Sequence, residues 1–156
     1  MDKWSIAAKT AFALPLAALG SVLGAGVHLA IFFIATALAD WLTGTLKAMK
    51  SGCWTSSTAR DGLWHKTGEF ISLLVAAGVD LLIYYLAETN FDIRYTACLL
   101  PVVCVWYICT ELGSILENIG QLGAPIPKFL CRAIAVLKSK VDETADNIDL
   151  EVKVEK

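Results

Sequence analysis

Charge is what this sequence has least of. Of 156 residues, 18% are Asp, Glu, Lys or Arg, against about 25% in average globular chains. The 13 basic and 15 acidic side chains leave a net charge of -2. With no basic excess to neutralise phosphates, nucleic-acid binding is excluded as the main role. Five cysteines form no CxxC pair, and Cys98, Cys104 and Cys109 lie inside an apolar stretch. That pattern excludes a disulfide framework and a zinc site, and buried thiols of this kind behave as small hydrophobes. A GxSxG elbow, an HExxH helix, a P-loop and a dinucleotide-binding glycine pattern are all absent, so the chain reads as a non-enzyme with no cofactor. His28 and His65 have no partner pattern nearby and read as ordinary polar residues near an interface.

What the sequence has instead is apolar length. Hydrophobic residues make up 56% of it, and the mean hydropathy is +0.61. Thirty uncharged residues run from Thr10 to Ala39; a second stretch, Phe70 to Ala87, is broken only by Asp80; a third, Tyr95 to Thr110, has no charge. A transmembrane helix needs about 20 mostly apolar residues, so three crossings are expected. The first run is too long for one crossing and too short for two plus a turn, since 30 residues cover roughly 45 Å. Pro15, Gly20, Gly24 and Gly26 break it, which separates a weakly apolar helix over 4–24 from a crossing that starts near Val27 and reaches about Lys50. A secretory signal is the rival reading, with Ala37-Leu-Ala39 as its cleavage site. Its apolar core, 27 uncharged residues before Ala37, is far longer than the typical 7–15.

The expected architecture is an all-α integral membrane protein with about three transmembrane helices plus an N-terminal helix and a C-terminal amphipathic helix. Residues 1–26 form the N-terminal helix, interfacial or partly inserted; 27–127 form the transmembrane domain; 128–156 form a cytoplasmic amphipathic helix and charged tail. A polar loop, Ser51 to Asp61, precedes the second helix, with Ser56 or Ser57 as its N-cap. A tight turn, Glu88 to Arg94, makes helices two and three a hairpin. Pro125 and Pro127 stop helix three. In Lys128 to Val141, the residues Leu130, Ile134, Leu137 and Val141 form an apolar stripe with Lys128, Arg132 and Lys138 off it. Such a helix lies on a membrane, pairs with itself or recruits a partner. Asp142 to Lys156, with six acidic and two basic side chains, reads as a solvated tail.

Positive charge places loop one (Lys47, Lys50, Arg60, Lys66) and the C-terminal region inside the cell, while the second loop holds only Arg94. Three crossings then put the N-terminus outside; a four-pass arrangement, with the first run folded as a hairpin, is the alternative. Trp41 and Trp54 sit near one interface, and Tyr84, Tyr85 and Tyr95 near the other.

Polar residues inside apolar helices are the candidate functional residues, because an Asp at a helix centre costs roughly 2.5–3.5 kcal/mol on insertion scales. Asp40, Thr43, Gly44 and Lys47 recur at i, i+3, i+4 and i+7 on helix one. Glu111, Ser114, Asn118 and Gln121 share a face of helix three, with Glu117 beside them, and Asp80 lies deep in helix two. Two such stripes line a pore or form a polar seam between subunits; the plainer alternative is that Asp40 and Glu111 mark helix ends at the interface.

Taken together, Asp40-Trp-Leu-Thr-Gly44 with Leu46-Lys-Ala48, Ser56-Ser57, Arg60-Asp-Gly-Leu63, Lys66 and Asp80 resemble the bacteriophage holins of the toxin-secretion and phage-lysis family. Glu111-Leu-Gly-Ser-Ile-Leu-Glu-Asn118, running into Leu122-Gly-Ala-Pro-Ile-Pro127 and Leu130, resembles that family's closing signature. The resemblance covers residues 27 to 137. It implies a multi-pass protein of the host's cytoplasmic (inner) membrane that forms homo-oligomers and opens holes through which a cell-wall hydrolase, the endolysin, reaches the peptidoglycan. It also implies an antiholin as a further partner, and in some relatives toxin release in place of lysis. An ion channel or small transporter subunit and a non-conducting scaffold are the competing classes.

Overall fold

The computed structural model describes residues 24–87, 98–146 and 148. The expected helix over 4–24, the four-pass alternative, the turn at 88–94, Tyr95 and the far end of the tail lie outside them. Among the described residues there are four helices and no strand: α1 (Ala25–Lys50), α2 (Ser56–Leu86), α3 (Leu99–Gln121) and α4 (Lys128–Asp146).

Each helix end has a local cause. α1 follows Gly24, whose φ of 52° suits glycine, and it closes with Lys47 and Lys50 in its last turn, where cations complement the helix dipole. α2 starts at Ser56, so the first loop is shorter than the expected Ser51–Asp61. Its N-cap is Thr55 and not Ser56 or Ser57, because Thr55 is the residue with extended backbone, and its hydroxyl accepts from the Thr58 N–H. α3 ends in a Schellman motif: Gly123 (φ 99°) donates to the Gly120 carbonyl and Ala124 to that of Ile119. Lys50 Nζ donates to the Leu122 carbonyl at 2.6 Å, tying the ends of α1 and α3 together. α4 runs past Val141 to Asp146, so the first residues of the expected tail are helical. They are held there by contact with α3.

The start of α3 is capped from another helix. Cys98, its N-cap residue, makes no side-chain cap. Asp80 of α2, fully buried, accepts from the N–H groups of Cys98 (3.3 Å), Leu99 (3.1 Å) and Leu100 (2.8 Å). Pro101 follows in the first turn, where its missing N–H costs nothing. A carboxylate here also meets the positive end of the helix dipole.

α1, α2 and α3 are each long and apolar enough to cross a membrane, and they alternate in direction. Asp80 of α2 meets Leu100, and Lys66 meets Glu111, so α2 and α3 are antiparallel. Gly26 of α1 lies on Leu100 and Asp40 bonds Asn118, so α1 and α3 are parallel and form the most extensive helix pair. A Cβ on Gly26 would stand 3.0 Å from Leu100 Cδ2, so glycine permits the close approach. The core is Phe33 and Ala37 from α1, Leu73 and Ala76 from α2, and Leu100, Cys104 and Ile108 from α3. Phe33 sits edge-on to Phe70 at 5.3 Å and against Tyr107 at 5.7 Å. Ile31, Leu38, Leu74, Val75 and Leu82 point outward and are more than half exposed, as suits side chains that face lipid. α4 folds back along α3, with Asp142 level with Trp106 and Lys138 with Thr110.

Candidate functional site

Glu111 and Asn118 are buried, and Asp40 and Glu69 nearly so, where water is scarce, so each needs a partner. On α1, Asp40 Oδ1 accepts from Asn118 Nδ2 at 3.1 Å, and the same amide lies 3.4 Å from Thr43 Oγ1. Thr43 donates in turn to its own helix, to the Ala39 and Asp40 carbonyls. Gly44 lies against the same amide, where a Cβ would make an ordinary contact at 3.5 Å from Asn118 Nδ2. The other Asp40 oxygen pairs with Lys66 Nζ of α2 at 2.9 Å. Lys66 also donates to both carboxylate oxygens of Glu111 on α3, whose side chain is 1% exposed. One ammonium therefore joins all three spans. Glu69, one turn along α2, lies 3.6 Å from the same ammonium, and its buried Oε2 makes no hydrogen bond among the described residues. Three carboxylates thus surround a single lysine.

A cleft of about 290 Å³ opens onto this cluster between α1, α2 and α3. It is bordered by Asp40, Trp41, Lys47, Trp54, Thr58, Lys66, Ser114 and Asn118, at the end where α1 stops and α2 begins.

Of the residues singled out from sequence, Asp40, Thr43, Gly44, Glu111 and Asn118 come together within one chain. Lys47 and Ser114 border the cleft. Glu117 and Gln121 are exposed; Glu117 turns to a separate cleft beside α4. Asp80 is apart from the cluster: 14 residues separate it from Lys66 on α2, roughly 21 Å at helical rise, and it caps α3. Sequence reasoning counts Lys66 as loop charge and as part of the family resemblance but misses it as the partner of the buried acids, and it misses Glu69. The usable signal was the Lys66, Glu69 spacing of i, i+3 at the mouth of an apolar helix, together with the need of Asp40 and Glu111 for a cation.

The fold and this cluster define a multi-pass integral membrane protein whose spans enclose a polar seam gathered around one lysine. Residues 17–139 match the bacteriophage holin family, and the chain belongs to that family. Among its relatives, an uncharacterized protein of Halalkalibacterium halodurans is 29% identical over 87% of this chain and 93% of its own length. An uncharacterized protein of Clostridium perfringens is 36% identical over 65% of this chain and 68% of its own. A probable holin of Bacillus phage phi105 is 28% identical over 70% of this chain and 74% of its own. No solved structure matches the chain.

Proposed function

We propose that the chain assembles with copies of itself in the cytoplasmic membrane of a phage-infected bacterium and opens holes through which an endolysin reaches the cell wall. The observation that carries this is the Lys66 cluster in a holin-family chain: a polar seam joining Asp40, Lys66 and Glu111 across three membrane-length helices. A buried ion cluster of this kind has two surroundings, a dry one in which Lys66 holds the acids together and a wet one in which water solvates them, and the excess of acid over lysine favours the second once water enters. Separation of the spans exchanges the first for the second, and Asp40, Thr43, Glu111 and Asn118 then line water. The seam closes within one chain, so the expected change on opening is a rearrangement of each copy as well as of the contacts between copies. Ser114 and Lys47, already at the cleft, become the first residues wetted.

In the orientation that follows from loop charge, the α1–α2 loop and the C-terminus face the cytoplasm. The test of function is expression in a bacterium together with a cell-wall hydrolase that has no export signal. A delayed, abrupt arrest of growth with release of the hydrolase is the expected result. Altered ion gradients without hydrolase release would replace this reading with that of an ion channel, whose path would be the carboxylates of Asp40, Glu69 and Glu111. A passenger other than the endolysin, such as a toxin, would use the same hole.

A further inference from the structure

α4 is the one described helix with no buried residue. Its hold on α3 includes a few polar contacts beside the half-buried Ile134 and Val141. Trp106 Nε1 donates to Asp142 Oδ1 at 2.8 Å. Lys138 Nζ donates to Thr110 Oγ1 at 3.0 Å and stands 4.6 Å from the centre of the Trp106 ring. Between the two helices a cleft of about 490 Å³ is left, bordered by Cys109, Gly113 and Glu117 on α3 and by Cys131 and Ile134 on α4. This seat is loosely filled beside the core shared by α1, α2 and α3.

The seat also lies at an awkward depth. Trp106 and Thr110 are 7 and 11 residues into α3, about 10 and 16 Å from its start, in the middle of a span that crosses some 30 Å of hydrocarbon. An α4 docked there carries the exposed charges of Lys140 and Glu143 at the same depth, where each is costly. The far side of α4 is apolar: Phe129, Leu130, Val136 and Leu137 are all exposed and share one face at i, i+1, i+7 and i+8. Residues 128–141 hold four cations, Lys128, Arg132, Lys138 and Lys140, and no acid. An apolar face edged with cations fits the plane of an anionic membrane surface.

We propose that α4 is a membrane-surface helix that exchanges its seat on α3 for anionic lipid headgroups, and that its departure uncovers Cys109, Thr110 and Gly113 on the third span. Phe129, Val136 and Leu137 then enter the headgroup boundary, and Lys128, Arg132 and Lys140 meet lipid phosphates. The acids of its last turns, Asp142, Glu143 and Asp146, point to the water side or pair locally, as Glu143 does with Lys140 at 2.6 Å. Docked, the helix shields a polar face of α3 from lipid; released, it leaves that face to a neighbouring copy or to water. Only this last consequence rests on the hole-forming reading.

The native thiols Cys109 and Cys131 border the same cleft and report the docked state. The full chain, with Cys53, Cys98 and Cys104 replaced by Ala, is reconstituted into vesicles of phosphatidylcholine alone or with phosphatidylglycerol and treated with a short, membrane-permeant bis-maleimide. The intramolecular Cys109–Cys131 link is read by mass spectrometry after proteolysis. Linking is expected in the neutral vesicles and falls about tenfold or more in the anionic ones, because several cations act together at the surface. The triple variant Lys128→Gln/Arg132→Gln/Lys140→Gln should link equally in both, and Asp142→Asn should lower linking in neutral vesicles. Equal linking of the wild-type cysteines in the two lipids, or a fall that persists in the triple variant, would overturn the proposal, as would the absence of any link in neutral vesicles. Since no lysis is read, failure of the hole-forming reading would leave this result standing, and the reverse also holds.

Discussion

Removing the Lys66 ammonium is the most direct test of what holds the three spans together. In Lys66→Met the side chain keeps its approximate length and packing, and the charge that joins Asp40 and Glu111 is lost. Glu111 is 1% exposed and Lys66 13%, so little solvent screens the interaction. Breaking a buried pair by removing one partner costs about 3–5 kcal/mol, since it leaves an uncompensated charge. At about 1.4 kcal/mol per tenfold change, the open bundle becomes roughly 100- to 5,000-fold more populated. Cys104 is the reporter: it is fully buried in the α1–α3 seam, and its alkylation in detergent micelles, with the other four cysteines replaced by Ser, measures opening of the bundle. Labelling should accelerate by that factor in Lys66→Met. The neutral variant Asp40→Asn/Lys66→Met/Glu69→Gln/Glu111→Gln should recover much of the protection, because replacing a whole buried ion cluster by neutral groups of similar volume is often neutral or stabilising. If Lys66→Met labels within about twofold of wild type, or if the neutral variant is as open as the single one, the ion cluster is not what closes the bundle.

Asp80→Ala removes the cross-helix cap and leaves the first N–H groups of α3 without their carboxylate; a loss of about 1–2 kcal/mol is expected, read as faster hydrogen exchange at Leu99 and Leu100 with the Lys66 cluster unaffected. Exchange unchanged at those amides would show that the cap contributes nothing. Gly26→Val places a branched side chain where a Cβ already stands 3.0 Å from Leu100 Cδ2. Overpacking of about 1–3 kcal/mol should part the start of α1 from α3, raising Cys104 labelling, while the same change at Gly68, with nothing within 4 Å, should not.

Membrane character, the number of spans among the described residues and their limits follow from local properties. Lipid requires some twenty apolar residues in a row, and a helix satisfies its backbone within itself, so Val27 to Lys50 and the stretch ending at Pro125 are readable one segment at a time. The same holds for the faces: the spacing of Asp40, Thr43 and Gly44, and of Glu111 and Asn118, puts each set on one side of its helix. Periodicity does not say which neighbour that side meets. That Lys66 reaches back from the mouth of α2 to both acids, and that Asp80 serves the N-terminus of α3 and not the polar seam, are decided by how the helices are rotated and crossed. Those angles depend on pairs distant in sequence, such as Gly26 with Leu100 and Phe33 with Tyr107, and no local pattern encodes them. α4 shows the same division. Its amphipathic stripe is local, whereas its direction along α3 and its extension to Asp146 come from the match of Lys138 to Thr110 and of Asp142 to Trp106, 28 and 36 residues earlier in the chain.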